Sequence, residues 1–179
     1  MRISGGIIKG RKIKTKKGNS TRPLLSRIRK SLFDIIGEEI RGSKFLDLYA
    51  GSGAVGIEAL SRGAKEAIFV EKDNLALRII KENLDLCGLS HLAIIYRKDV
   101  LKILSVLLKK ERFDFIFVAP PYYKEMQNKT LRMLEEKKIK GSVVIVQHSP
   151  KEKVIFARKN MKLLKQKRYG DTILTFLLK

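Results

Sequence analysis

The sequence predicts an α/β fold: a doubly wound, mostly parallel sheet, an antiparallel edge hairpin, and a small basic hairpin extension at the amino end. Three observations predict it. Short apolar runs alternate with segments of helical periodicity through most of the 179 residues. A Gly-x-Gly-x-x-Gly run stands between the first of those strands and the helix that follows. The last two extended segments are separated only by Tyr169-Gly170-Asp171, a turn-forming tripeptide. A chain of this length fits one domain, 1–179, with an extension over 1–25 and a body over 26–179. Its 44% hydrophobic content suffices for a closed core.

The elements follow in order. From Met1 to Lys17 apolar and basic residues alternate around Gly5, Gly6 and Gly10, and Ile7, Ile8 and Ile13 fit short strands. Pro23 keeps the chain out of helix until Ser26, a good N-cap. Ile28, Leu32, Ile35, Ile36 and Ile40 then recur at helical spacing, with Arg27, Arg29, Lys30 and Asp34 around the other side. Strands are expected over Phe45–Ala50, Glu66–Glu71, Leu92–Tyr96, Phe113–Val118 and Ser142–Gln147. Helices are expected over Ala54–Arg62, Asn74–Cys87 (closed by Gly88), Val100–Lys110 and Lys129–Glu136. Lys162–Lys167 and Thr172–Leu178 form the antiparallel pair.

Charge is the anomaly of the composition. The chain has 39 Lys and Arg against 18 Asp and Glu, a net +21. The excess is segregated: residues 1–44 carry +10, residues 45–150 +4, and residues 151–179 +7. A near-neutral body with basic ends reads as a grip on a polyanion, nucleic acid above all. One cysteine, Cys87, excludes an internal disulfide framework and a multi-cysteine zinc site, and two histidines exclude a His-rich centre, so no metal is expected. No apolar run approaches a membrane span, and no secretory signal precedes the basic start. A soluble, cytoplasmic monomer is the expectation.

The glycine run reads Asp47-Leu48-Tyr49-Ala50-Gly51-Ser52-Gly53-Ala54-Val55-Gly56. Glycine there lets the backbone turn sharply and approach a ligand closely. Glu71 ends the next strand, 20 positions after Gly51, where an acid can accept from both hydroxyls of a ribose. Asp99 follows the third strand, within reach of an adenine amine. Three such features at consecutive strand ends indicate an adenosine-containing cofactor. A nicotinamide dinucleotide remains open on the glycines alone. Asp47 favours S-adenosylmethionine instead: a carboxylate faces a pyrophosphate badly, but can accept from an ammonium head group. Walker-type nucleotide binding is disfavoured, because Ile57-Glu58 stands where Lys-Ser/Thr is needed.

The fourth strand ends in Val118-Ala119-Pro120-Pro121-Tyr122-Tyr123, a stiff loop expected opposite the cofactor turn. Pro120 presents a fixed carbonyl and Tyr122 a face for a base. Cys87 reads as packed, His148 as bordering the site or facing solvent, and Asp114 as fixing local backbone.

Taken together these segments resemble the bacterial small-subunit ribosomal RNA guanine-N2 methyltransferase family, which has a class I S-adenosylmethionine-dependent, Rossmann-like fold. The resemblance runs through Arg2–Lys12, Arg22-Pro23, Arg27-Ile28-Arg29, Leu46–Gly53, Val70-Glu71, the Asn83 helix, Pro120-Pro121-Tyr122 and Tyr169-Gly170-Asp171-Thr172. It implies transfer of methyl from S-adenosylmethionine to the exocyclic amine of a guanine in 16S rRNA within an assembling small subunit. Cofactor would be held by Asp47, Tyr49, Gly51, Ser52, Gly53, Glu71, Lys72, Asp99 and Val100. The base would be held by Ala119, Pro120, Pro121 and Tyr122, and RNA phosphates by Arg2, Lys9, Arg11, Lys12, Arg22, Arg27 and Arg29.

One residue departs from the family pattern. Relatives resemble Asp-Pro-Pro-Tyr at the substrate loop, where this chain has Ala119, and Gln147 stands where many have Glu. The acid and the Pro120 carbonyl would each accept an N–H of the guanine amine and turn its lone pair toward the methyl group. Ala119 leaves the carbonyl alone. A weakened or non-catalytic RNA-binding relative, an amine methyltransferase with another RNA or DNA target, and an NAD-dependent oxidoreductase are the rival readings.

Overall fold

In the computed structural model, residues 1–15, 26–136 and 141–179 are described. Five parallel strands form the body of the sheet: β1 (Lys44–Leu48), β2 (Glu66–Glu71), β3 (Ala93–Arg97), β4 (Phe115–Val118) and β5 (Val143–His148). Two antiparallel strands complete it, β6 (Lys162–Tyr169) and β7 (Thr172–Leu178). The order is β3-β2-β1-β4-β5-β7-β6, so the winding direction reverses between β1 and β4. Such a reversal opens a crevice at the carboxyl ends of the strands. β7, last in the chain, lies inside the sheet between β5 and β6.

Buried apolar strands dictate helices on both faces. On one, α1 (Ser26–Ile36), α2 (Ala54–Ser61) and α3 (Asn74–Cys87) pack Ile28, Leu32, Phe33, Ile57, Leu60, Ile80 and Leu84 against Phe45, Phe69, Phe115 and Phe117. On the other, α4 (Val100–Lys110) and α5 (Met126–Glu135) pack Leu104, Leu107, Leu131 and Leu134 against Leu46, Ile68, Ile116 and Val144. Asp73 caps α3 by accepting from the Ala76 N–H at 2.8 Å, and Gly88 closes it in a left-handed conformation.

The expected amino-terminal hairpin exists, built differently from its apolar pattern. Arg2 and Lys12 pair antiparallel, and it is Ile3 and Ile13 that point into the core. Ile7 and Ile8 lie in the turn rather than in strands, and Ile7 is 82% exposed. Ile40 sits in a 3-10 turn, Gly37–Ile40, after the helix. His148, for which a solvent-facing role stood open, ends β5 buried: its Nδ1 lies 2.9 Å from the Ser149 carbonyl and its Nε2 2.9 Å from the Thr175 hydroxyl. Burial lowers the affinity of that imidazole for a proton. Cys87 is buried in the core, and the Asp114 carboxylate accepts from the Lys44 N–H at 2.7 Å.

Candidate active site

At the carboxyl ends of β1 and β2 the chain makes the tight turn that its glycines require. Gly51 and Gly53 have φ of 57° and 75°, and Tyr49, with no such freedom, is held at 64°. A non-glycine residue in that region costs about 1–3 kcal/mol and persists where surroundings enforce it. Here the Tyr49 hydroxyl lies 2.7 Å from the Thr130 hydroxyl on α5, while Thr130 donates to the Met126 carbonyl at 2.8 Å. The Tyr49 proton therefore goes to Thr130. Burial pushes the Tyr49 phenol up to about 12, the Thr130 bond opposes that shift, and the Asp99 charge adds to it.

Glu71 fastens the turn to the neighbouring strand. One carboxylate oxygen accepts from the Gly51 N–H at 2.9 Å, and the other from Lys72 and Asp73 at 2.8 and 2.9 Å. A carboxylate offers about four acceptor positions, so one remains for a hydroxyl. Asp99 caps α4 by accepting from the Leu101 N–H at 3.0 Å, with the Lys72 ammonium 3.5 Å from its other oxygen. Val100 is buried at the first turn of that helix. A Cβ placed on Gly51 would meet no atom within 4 Å, so the turn faces open space.

Asp47 lies beneath the turn. It is buried and accepts from the Gly56 N–H at 3.0 Å, and burial pushes its carboxyl up to about 8, opposed by that bond and raised further by Glu71. Its reach toward a ligand runs through the backbone it holds. Gly56 itself is a packing glycine: a Cβ there would stand 2.3 Å from the Phe69 ring. Only glycine lets α2 lie this close to β2.

Across the β1–β4 pair stands the proline loop. Val118 is opposite Leu48, so Ala119 and Pro120 leave β4 level with the start of the turn. Pro120 is buried; Ala119 and Tyr122 are half-buried. The Tyr122 hydroxyl accepts from Gln147 Nε2 at 3.1 Å and shares a hydrogen bond with the Thr172 hydroxyl at 3.1 Å. Glu152 staples the loop, accepting from the N–H of Tyr123 at 2.7 Å and of Ser149 at 3.0 Å.

The basic residues divide. Arg2, Lys9, Arg11, Lys12 and Arg27 are exposed, and Arg22 lies outside the described residues. Arg29 is not on the surface, contrary to its placement among the phosphate contacts. Its side chain is fully buried, paired with the equally buried Glu58 and donating to the Arg2 carbonyl. Glu58 also takes Arg62 at 3.0 Å and the Ser4 hydroxyl. Arg29 thus binds the extension to α2. The fit is close. Gly6, at φ 80°, has no room for a Cβ, which would fall 1.9 Å from the Ser61 carbonyl oxygen.

Asn83 is the residue that sequence reasoning passed over, since it marked only a helix. Fully buried on α3, it donates to the carbonyls of Ser52 and Lys14, both at 3.0 Å, and accepts from the Lys14 N–H at 2.7 Å. One carboxamide thereby ties the basic extension to the glycine turn. A polar residue among apolar ones in a helix was the available signal. Asn83→Leu should lower unfolding free energy by about 2–4 kcal/mol, since backbone groups lose their partners. It should also speed amide exchange at Lys14. Unchanged Lys14 protection would refute the tie.

A family model described as "Conserved hypothetical protein 95" matches residues 1–178. The chain belongs to this family. Among curated relatives, the Ribosomal RNA small subunit methyltransferase D of Buchnera aphidicola is 36% identical over 166 residues, 92% of this chain and 86% of that protein. Among solved structures, a hypothetical protein of Thermus thermophilus is 35% identical with a TM-score of 0.83, covering 98% of each chain. A structure provisionally named methyltransferase yhhF, from Escherichia coli, is 25% identical with a TM-score of 0.86, covering 100% of this chain and 97% of that one. The chain has the methyltransferase fold of these neighbours, with the sheet order given above. Among the described residues no group of three acidic, His or Cys side chains is placed to hold a metal, and no helix is long and apolar enough to cross a membrane.

Proposed function

We propose that this chain methylates the exocyclic N2 of a guanine in small-subunit rRNA on an assembling subunit, with S-adenosylmethionine as donor. The observation that carries the reading is the facing pair at the β1–β4 reversal. The glycine turn bound by Glu71 stands on one side and the Pro120–Tyr122 loop on the other, in a chain whose curated relatives are named as rRNA small subunit methyltransferases.

The residues present fit an adenosine-bearing cofactor: open space over Gly51, a spare acceptor on Glu71, and Asp99 at the next strand end. When bound, S-adenosylmethionine supplies a methyl group on a sulfonium, ready for in-line displacement. Glu71 and Asp99 would hold the ribose and adenine, and Asp47 would keep the turn in shape through Gly56. The Pro120 carbonyl would accept an N–H of the guanine amine and turn its lone pair toward the sulfur side. Tyr122, fixed by Gln147 and Thr172, would stack on the extruded base, a contact worth about 1–3 kcal/mol. Arg2, Lys9, Arg11, Lys12 and Arg27 would take phosphates.

The deciding experiment is label transfer from S-adenosylmethionine to small subunits that lack the modification, followed by nucleoside analysis. N2-methylguanosine is the expected product. Label on another base would overturn the specificity. S-adenosylhomocysteine binding without transfer to any ribosomal substrate would favour the second reading, a non-catalytic RNA-binding factor, which Ala119 specifically supports.

A further inference from the structure

We propose that the outer strand β6 is a second RNA track, on which Lys162, Lys165 and Lys167 bind consecutive phosphates of the RNA leading into the site. The proposal rests on the RNA reading above and names a surface that reading does not use.

β6 ends the sheet, pairs among the described residues only with β7, and is exposed from Lys162 through Arg168. Its sequence, Lys-Leu-Leu-Lys-Gln-Lys-Arg-Tyr, contains no acid. In a regular strand, Lys162 and Lys165 would point to opposite faces, because side chains alternate. The ladder shifts register between Leu163 and Lys165, so Leu164 is the extra residue of a bulge. Lys162 is then opposite Leu178, Lys165 opposite Phe176, and Lys167 opposite Leu174. Directly opposed residues share a face, so the bulge brings all three lysines into one phase.

That face can be identified. Phe176 and Leu174 belong to the core under α1 and α2, whereas Leu177, opposite Leu163, belongs to the other core. Lys167 Nζ lies 3.5 Å from the Ser31 hydroxyl on α1 and 5.5 Å from the centre of the Tyr169 ring. Tyr169 bonds Ser31 in turn. The lysines therefore line the side of the molecule that carries exposed Arg27. The nearest acid on α1, Asp34, is paired with Lys30 at 2.8 Å. At its far end the strand meets the site: Tyr169 is opposite Thr172, whose hydroxyl lies 3.1 Å from that of Tyr122. Lysines on one face recur about every 6.6–6.8 Å, close to the step between phosphates of an extended strand. RNA backbone is the occupant that this charge and this continuity with Tyr122 select.

Edge lysines also deter strand pairing between molecules, and the test separates the two roles. Binding of a small-subunit rRNA fragment is measured against salt for the wild type, for the triple variant Lys162→Gln, Lys165→Gln, Lys167→Gln, and for Arg168→Gln on the opposite face. Each phosphate lost from a single strand shallows the log–log salt slope by about 0.7, so the triple variant should lose about 2. Arg168→Gln should leave the slope unchanged. A triple variant that keeps the wild-type slope overturns the proposal, whether it stays monomeric or self-associates in sedimentation. So does an Arg168→Gln effect as large as that of one face lysine, because the phase of the strand would then be irrelevant. Slope loss in a protein that methylates nothing leaves the track standing and sinks the catalytic reading. Methyl transfer with an unchanged slope does the reverse.

Discussion

Arg29→Ala is expected to lower unfolding free energy by about 3 kcal/mol, with a fall of about 6–12 °C in Tm. Removing one partner of a buried pair leaves the other charge uncompensated, and Glu58 has no exposed surface. The loss should stay near the low end of the 3–5 kcal/mol typical of such pairs, about 3, because Arg62 and Ser4 still reach Glu58. Arg27→Ala, two positions away and exposed, should change stability by less than about 0.5 kcal/mol. The two variants should exchange roles in RNA binding. Arg27→Ala should shallow the salt dependence, whereas folded Arg29→Ala should retain it unless the extension comes free of α2. Denaturant unfolding and RNA titrations on both variants decide the matter. An Arg29→Ala protein as stable as the wild type would mean that the pair with Glu58 does not hold the extension.

Ala119→Asp is expected to raise kcat by about 10- to 150-fold, the effect of one charge-assisted hydrogen bond of about 1.5–3 kcal/mol made in the transition state. The proposed acceptor, a guanine amine, is a poor nucleophile because its lone pair is delocalised into the ring. A carboxylate at 119 would add a second acceptor beside the Pro120 carbonyl and localise that pair. The gain should appear in kcat under saturating RNA, with little change in S-adenosylhomocysteine affinity, since position 119 belongs to the proline loop that follows β4 and not to the glycine turn. Equal rates for the wild type and the Ala119→Asp variant would show that positioning by Pro120 and Tyr122 already suffices. Activity only with the acid would mark the natural chain as a binding protein.

Much of this architecture was legible because the signals are local. β2, α3 and α4 begin and end where the sequence places them. Their apolar periods are clear, with Asn83 the interruption on α3, and Asp73, Gly88 and Asp99 mark the ends. Helix α5 was harder. It starts at Met126, not Lys129, because its buried face includes Gln127, Asn128 and Thr130, which carry no apolar period. Arg29 was misplaced for a related reason. One arginine between others reads as a solvated face, and its partner Glu58 is 29 positions away with nothing in spacing to link them. The places of the glycine turn, Glu71, Asp99 and the proline loop were readable, since each closes a strand. Asn83 and Glu152 were not, because their partners are backbone groups brought near only by tertiary packing.

The position of β7 bears on how the molecule is made. Synthesis proceeds from the amino end, yet β7, made after β6, takes the interior place between β5 and β6. Until Thr172–Leu178 has emerged, β5 has an open side and β6 has no neighbour to pair with. The hydroxyl of Thr172 that steadies Tyr122 is missing for the same interval. A nascent chain of this protein is thus held short of a finished substrate loop until β7 has joined the sheet.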